Sequence, residues 1–318
     1  MNQLILNKNT TGLLLRVERS SLHDGQGLRT VVFLKGCPMN CAWCSTPESQ
    51  QFEPEKGYSA KLCTACGRCI DVCPQKAIVY AKDKSSVITD KTKCRTCFTC
   101  FEVCPSNAIK KYGTQCSVEE LVDTISRDEI FYFYSGGGVT VSGGEPLAQA
   151  DFTAKLLKAC KMIGINTAIE TSLQAEYKEI EKLLPWLDTI YVDIKHMNPV
   201  EHEMWTGITN REILQNIRII DQSEFPLAIV IRLPLVPGFN DGEDNLIELA
   251  SFLNNLSRIR GLEILPYHRL GSDTYSYLER DYRCSAILPP DQNKLEETQS
   301  FLKGMMPNIT IKVGSGYL

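Results

Sequence analysis

The run Gly36-Cys37-Pro38-Met39-Asn40-Cys41-Ala42-Trp43-Cys44 puts three cysteines on one short loop, spaced C-x-x-x-C-x-x-C, directly after the apolar stretch Thr30–Leu34, which reads as a strand. Three thiolates this close can hold three irons of a [4Fe–4S] cube, and no fourth cysteine lies nearby. The fourth iron is then open to a substrate or cofactor. A cluster that only transfers electrons normally has four cysteine ligands, so an open iron implies chemistry. A structural zinc site and buried apolar cysteines compete with this reading. Zinc motifs usually pair C-x-x-C with a second ligand pair, and the nearest histidine, His23, lies on the far side of the strand.

With an aromatic residue before its last cysteine, this loop resembles that of the radical S-adenosylmethionine superfamily. Upstream, His23-Asp24-Gly25-Gln26-Gly27-Leu28-Arg29-Thr30 narrows the resemblance to the activating enzymes of glycyl radical enzymes. The resemblance implies that the amino and carboxylate groups of S-adenosylmethionine bind the unique iron. The reduced cluster would cleave the sulfonium to methionine and a 5′-deoxyadenosyl radical, which removes a hydrogen from a glycine Cα of a partner enzyme. Asp24 matches the aspartate of the family's D-G-P-G, which contacts an arginine of the partner's glycyl loop. Here Gln26 replaces the proline and removes its fixed φ.

A second array follows. Cys63-x-x-Cys66-x-x-Cys69-x-x-x-Cys73-Pro74 is repeated as Cys94-x-x-Cys97-x-x-Cys100-x-x-x-Cys104-Pro105. Each run matches the bacterial ferredoxin pattern, in which the fourth cysteine ligates the other cluster. Cys63, Cys66, Cys69 and Cys104 are therefore assigned to one [4Fe–4S] cluster, and Cys94, Cys97, Cys100 and Cys73 to another, three clusters in all. The repeat extends into Ala77-Ile78 and Ala108-Ile109, as in a pseudo-symmetric two-cluster fold.

Eleven of the 14 cysteines lie in these motifs; Cys116, Cys160 and Cys284 are scattered and read as structural thiols. Met1–Lys8 has neither the basic start nor the apolar stretch of a leader, and no window approaches a membrane span. A reducing cytoplasm is expected, where thiolates bind metal rather than pair. The net charge of −4 gives no electrostatic case for nucleic acid. The expected partners are a cognate glycyl radical enzyme and, as reductant, flavodoxin or ferredoxin, with the chain a monomer.

Outside the second array, apolar strands alternate with amphipathic helices, which argues for a parallel α/β architecture. Strands are expected at residues 30–34, 138–141, 165–169, 189–192, 227–233 and 261–265. Ser117-Val118-Glu119-Glu120 is a capping-box signature opening a helix that runs to about Tyr134. Six β/α units are too few to close an eight-stranded barrel, so an open partial (β/α)6 barrel is expected, as in the family. Residues 55–112 read as a ferredoxin-like insertion, and 1–54 with 113–318 as the barrel. Active-site groups of such barrels sit at the C-terminal strand ends. The candidates do so: Cys37, then Gly143-Gly144-Glu145, Glu170-Thr171, Asp193 with Lys195, Arg232, and Tyr267-His268.

Ser142-Gly143-Gly144-Glu145-Pro146 resembles the superfamily's G-G-E motif, where two glycines let backbone groups approach the methionine moiety and the ammonium donates to a backbone carbonyl or to Glu145. Asp193-Ile194-Lys195 resembles the family's D-x-K, implying ribose and carboxylate binding. Strand alternation puts Asp193 and Lys195 on one face. His268, in a Y-H-x-x-G match, is expected to reach the nucleoside, and Trp43 and Ser45 to lie near the adenine. Glu170 stands where a relative has the aspartate that, with the D-x-K aspartate, holds a monovalent cation, so Na+ or K+ is a candidate component. Arg232 reads either as a ligand of the cofactor carboxylate or substrate backbone, or as a rim ion pair.

Two other functions compete. A different radical S-adenosylmethionine enzyme would leave the H-D-G-x-G-x-R run and the position of the insertion unexplained. An electron-transfer protein would leave the barrel and its open-iron loop unexplained.

Overall fold

The computed structural model describes residues 10–314, so the Met1–Lys8 stretch lies outside them. Along the chain the strands are β1 (Thr11–Ser21), β2 (Arg29–Leu34), β3 (Glu55–Tyr58), β4 (Ile78–Tyr80), β5 (Val87–Thr89), β6 (Ile109–Tyr112), β7 (Thr114–Ser117), β8 (Gly138–Gly143), β9 (Asn166–Thr171), β10 (Thr189–Asp193), β11 (Ala228–Leu235), β12 (Ile259–Pro266) and β13 (Thr310–Val313). The six expected strands are β2 and β8 to β12. They lie side by side in chain order, each parallel to the next. Helices fill the crossovers that parallel pairing requires, among them Ala150–Met162 and Arg211–Gln222.

The sheet is larger than six strands. β13 extends it in parallel beyond β12, while β1 runs antiparallel to β2 and carries β7 at the other edge. These additions are four residues long or, in β1, half-buried with an interrupted register.

Strand alternation splits the sheet chemically. Val139, Val141, Ile169, Ile190, Val192, Ile231, Leu233 and Ile264 are buried in the core shared with the helices. The residues between them, Thr140, Ser142, Glu170, Tyr191, Asp193, Arg232 and Glu263, line the other face. The barrel interior is therefore polar and charged.

Ser117 caps its helix with a full capping box with Glu120. That helix ends at Ser126 rather than near Tyr134, and a second runs from Glu129 to Ser135. Asp128 causes the break. Its carboxylate turns inward to accept from Arg19 and, at 2.9 Å, from Thr30 Oγ1, while its carbonyl starts the second helix by accepting from Phe131 and Tyr132 N–H.

β3 and β6 pair antiparallel, Glu55 opposite Tyr112, and so bring together the ends of the segment that holds the eight repeated cysteines. The two halves repeat in backbone as well as sequence. Ala65, Gly67 and Lys76 adopt left-handed φ, and so do Thr96, Phe98 and Asn107, each 31 positions on. Phe98 holds this conformation with a Cβ, at a cost of about 1 kcal/mol. A separate small core of Cys69, Ile78, Val87, Cys100 and Ile109 supports both halves. Among the described residues no helix is long and apolar enough to cross a membrane.

Candidate active site

The three-cysteine loop leaves β2 at Leu34 and is held mainly by backbone hydrogen bonds. Gly36 N–H donates to Ser49 O (2.7 Å), Asn40 N–H to Thr206 O (2.7 Å) and Ala42 N–H to Trp205 O (2.9 Å). Lys35, 1 % exposed, anchors the loop base through Nζ to Glu55 Oε2 at 2.8 Å. Cys37, Cys41 and Cys44 are half-buried free thiols. Burial pushes the Cys41 pKa up to about 12, with Lys195 opposing it. Trp43 turns into an aromatic cluster, 4.9 Å from Phe239 and 6.5 Å from Trp205 between ring centroids. Ser45 stays exposed.

The Gly143-Gly144-Glu145 turn is built against that loop. Gly144 N–H donates to Leu34 O and Glu145 N–H to Gly36 O, both at 2.8 Å. A Cβ on Gly143 would lie 2.3 Å from Leu34 O, and one on Gly144 2.3 Å from Gly36 O. The glycines are thus required by the neighbouring backbone, a constraint absent from the sequence reading. Glu145 is 1 % exposed. Its Oε1 accepts from Thr171 Oγ1 (2.6 Å) and Leu147 N–H (3.2 Å), its Oε2 from Ser172 N–H (2.8 Å) and Oγ (2.6 Å). Four protein donors reach the carboxylate, and through them Glu145 ties β8 to β9.

Deeper in the barrel, Arg232 donates to Glu170, to Glu263 Oε2 at 2.8 Å and to His23 O at 3.3 Å, and lies 4.2 Å above the Tyr191 ring. Glu170 Oε2 also accepts from Ser142 Oγ at 2.7 Å. The guanidinium is shared between Glu170 and Glu263, so the three groups together carry a net charge of −1. Of the two readings of Arg232, the structure places it in the ion pair.

Towards the mouth, Lys195 Nζ donates to Asp193 Oδ2 at 2.9 Å. Burial pulls the Lys195 pKa down, but the Asp193 carboxylate outweighs it and the pKa is raised. Ile194 is buried between them, its N–H donating to Arg232 O at 2.9 Å. His268 is half-buried, and burial lowers its pKa. Gly271, three residues on, presses against the cysteine loop: a Cβ there would lie 2.5 Å from Ser45 O.

Asp24 sits half-buried on the loop between β1 and β2, with its carboxylate accepting from Ser21 Oγ and its carbonyl from Thr140 Oγ1 at 2.7 Å. Gln26 leaves this loop well held: its carbonyl accepts from Arg29 (3.2 Å), and Gly25 and Gly27 take φ of +129° and +72°. Arg29 is 2 % exposed and bonds to Thr140, Asn166 and Val139 with no carboxylate among them. In sequence it stood out only as the last residue of the H-D-G-x-G-x-R run.

Between β3 and β6 the eight cysteines line two small cavities. One is lined by Cys63, Cys66, Cys69 and Cys104. The other is lined by Cys73, Cys94, Cys97 and Cys100. Each set faces one cavity and crosses the two halves, which fits a thiolate-ligated cube.

Comparison with known proteins agrees with this arrangement. The Radical SAM superfamily profile matches residues 91–250, a 4Fe-4S dicluster domain matches 55–105, and a 4Fe-4S single cluster domain matches 23–78. The chain is 40 % identical over 290 residues to the isethionate sulfite-lyase activating enzyme of Oleidesulfovibrio alaskensis, covering 90 % of this chain and 93 % of that one. It is 38 % identical over 305 residues to the trans-4-hydroxy-L-proline dehydratase activating enzyme of Clostridioides difficile, covering 95 % and 99 %. Its fold is similar to that of a radical SAM methyltransferase from Sphaerobacter thermophilus, with 15 % identity, a TM-score of 0.52 and coverage of 90 % and 66 %. With three cysteines on the loop after β2 and crossed cysteine sets between β3 and β6, the chain belongs to the radical S-adenosylmethionine superfamily, among the activating enzymes of glycyl radical enzymes.

Proposed function

We propose that the chain binds three [4Fe–4S] clusters and that the one held by Cys37, Cys41 and Cys44 takes S-adenosylmethionine on its open iron. The observation that carries this reading is the pair of cavities lined by crossed sets of four cysteines, which leaves the three-cysteine loop as a separate site. Bound there, the cluster supplies the electron that cleaves S-adenosylmethionine to methionine and a 5′-deoxyadenosyl radical. The chain positions that substrate. Lys195 and Asp193 take its carboxylate and ribose, with Ile194 between them. Carbonyls of Gly143 and Gly144 take the ammonium. His268 reaches the nucleoside, and the backbone beside Trp43 and Ser45 takes the adenine.

The hydrogen comes from a glycine Cα of the partner, presented on a loop that enters the open side of the barrel, where Asp24 pairs with a basic residue of that loop. Residues 55–112 act as a ferredoxin-like unit on the barrel formed by 1–54 and 113–318, relaying electrons from flavodoxin or ferredoxin to a monomeric enzyme. Anaerobic reconstitution tests the cluster count: the wild type should take up about 12 Fe and the Cys37/Cys41/Cys44→Ala variant about eight, with all cleavage lost. A wild type that saturates near eight contradicts it.

A further inference from the structure

Charge is distributed very unevenly along the chain. Residues 55–112 carry 11 Lys and Arg against 5 Asp and Glu, a net of +6, whereas the other 260 residues carry 23 against 33, a net of −10. Compensation of buried thiolates explains part of the excess: Lys56 Nζ lies 3.8 Å from Cys94 Sγ. It does not explain cations that face solvent.

These cations favour one cavity. Around Cys63, Cys66, Cys69 and Cys104 the basic groups have acidic neighbours. Lys61 pairs with Asp273 at 3.6 Å, and Arg68 shares a groove with Asp71 and Glu102. Around Cys73, Cys94, Cys97 and Cys100 only Lys91 and Lys93 do. Lys56 and Arg95 line that cavity with no acidic residue. Lys76 follows its lining residue Gln75, and Lys111 lies 5.0 Å from the ring of another, Phe98. Lys91 and Lys93 are occupied by Glu279 and Asp90, but among the described residues Lys76, Arg95 and Lys111 form no ion pair. At their centre Cys97 is exposed, whereas Cys100 of the same set is buried. A cluster held there would come closest to solvent at the most positive, least neutralised point of the insertion.

We infer that Lys76, Arg95 and Lys111, arranged around Cys97, form the docking face for an acidic one-electron carrier protein, and that the cluster of Cys73, Cys94, Cys97 and Cys100 is the electron port. The carrier is oxidised by one electron and that cluster is reduced by one. Complementary charge steers encounter and raises the association rate, and salt screens it.

This inference rests on the cluster assignment proposed above, and the test separates the two. The reconstituted full chain is mixed with a reduced acidic flavodoxin, and bleaching of the clusters is followed by stopped flow from low to high salt. Lys76→Glu, Arg95→Glu and Lys111→Glu together should slow second-order reduction by about tenfold or more at low salt and flatten its salt dependence. Iron content and photoreduction by a deazaflavin should stay unchanged. Lys82→Glu with Lys84→Glu, on the β4–β5 turn of the same segment, should slow it by less than about twofold. Equal slowing in both variants would reduce the effect to net charge and overturn the docking face, as would no slowing in the first. If deazaflavin-reduced wild type fails to cleave S-adenosylmethionine, the proposed function fails instead.

Discussion

Lys195 and Asp193 form an ion pair of 2.9 Å at the C-terminal end of β10, with the ammonium buried and the carboxylate about one-third exposed. The Asp193 carboxylate keeps Lys195 charged against its burial. The pair therefore presents a fixed cation and a half-open acceptor beside the three-cysteine loop. Lys195→Met and Asp193→Asn should each weaken S-adenosylmethionine binding by about tenfold or more, with iron content unchanged. Equilibrium binding alongside iron analysis checks this, and loss of iron in either variant would make the pair a structural support.

Gly144 offers a test of how the cofactor loop is built. A methyl group there would meet the Gly36 carbonyl at 2.3 Å, backbone against backbone, with no flexible side chain to yield. Gly144→Ala should displace the cysteine loop, at a cost of about 1–3 kcal/mol, and lower the iron content by about a third. Gly304→Ala, with open space around its Cβ, should leave both stability and iron at or above wild type.

The parts of the fold legible in the sequence were those with a local cause. β2 and β8 to β12 are buried parallel strands, which read as apolar runs. β7 and β13 are four-residue edge strands with half their side chains in solvent, too short to stand out. The break at Asp128 could not be read either, because it depends on Arg19 and Thr30, far off in sequence. In the site, Glu170 and Arg232 could each be named from their strand ends. Their pairing across 62 positions emerges only when β9, β10 and β11 lie side by side. The contacts of Glu145 with Thr171 and Ser172 were hidden for the same reason.

Arg232 compensates two carboxylates inside the barrel. Removing one member of such a buried network leaves uncompensated charge and costs about 3–5 kcal/mol, whereas removing all members together is close to neutral. Arg232→Met should therefore be strongly destabilising in denaturant unfolding. Arg232→Met combined with Glu170→Gln and Glu263→Gln should recover most of the loss, a non-additivity that independent surface ion pairs would not show.

Asp128 links stability to pH. The hydrogen bond from Arg19, with that from Thr30, holds its pKa below the usual carboxylate value. A carboxylate depressed in the folded state contributes stability that is complete above its unfolded pKa and is lost as pH falls through the folded one. Asp128→Asn should thus cost about 2 kcal/mol at pH 7, and the gap from wild type should close only below about pH 4. Urea unfolding of both chains between pH 7 and pH 3 measures it; a gap that stays constant would contradict the assignment.

As an activating enzyme of a glycyl radical enzyme, this chain abstracts hydrogen from a glycine of its partner. The most direct measurement mixes the reconstituted, reduced chain and S-adenosylmethionine with its glycyl radical enzyme, made with deuterium at the glycine Cα, under strict exclusion of oxygen. A glycyl radical signal by electron paramagnetic resonance and deuterium in the 5′-deoxyadenosine formed are the expected result. Accumulation of unlabelled 5′-deoxyadenosine, with the label retained in the glycine, would contradict it.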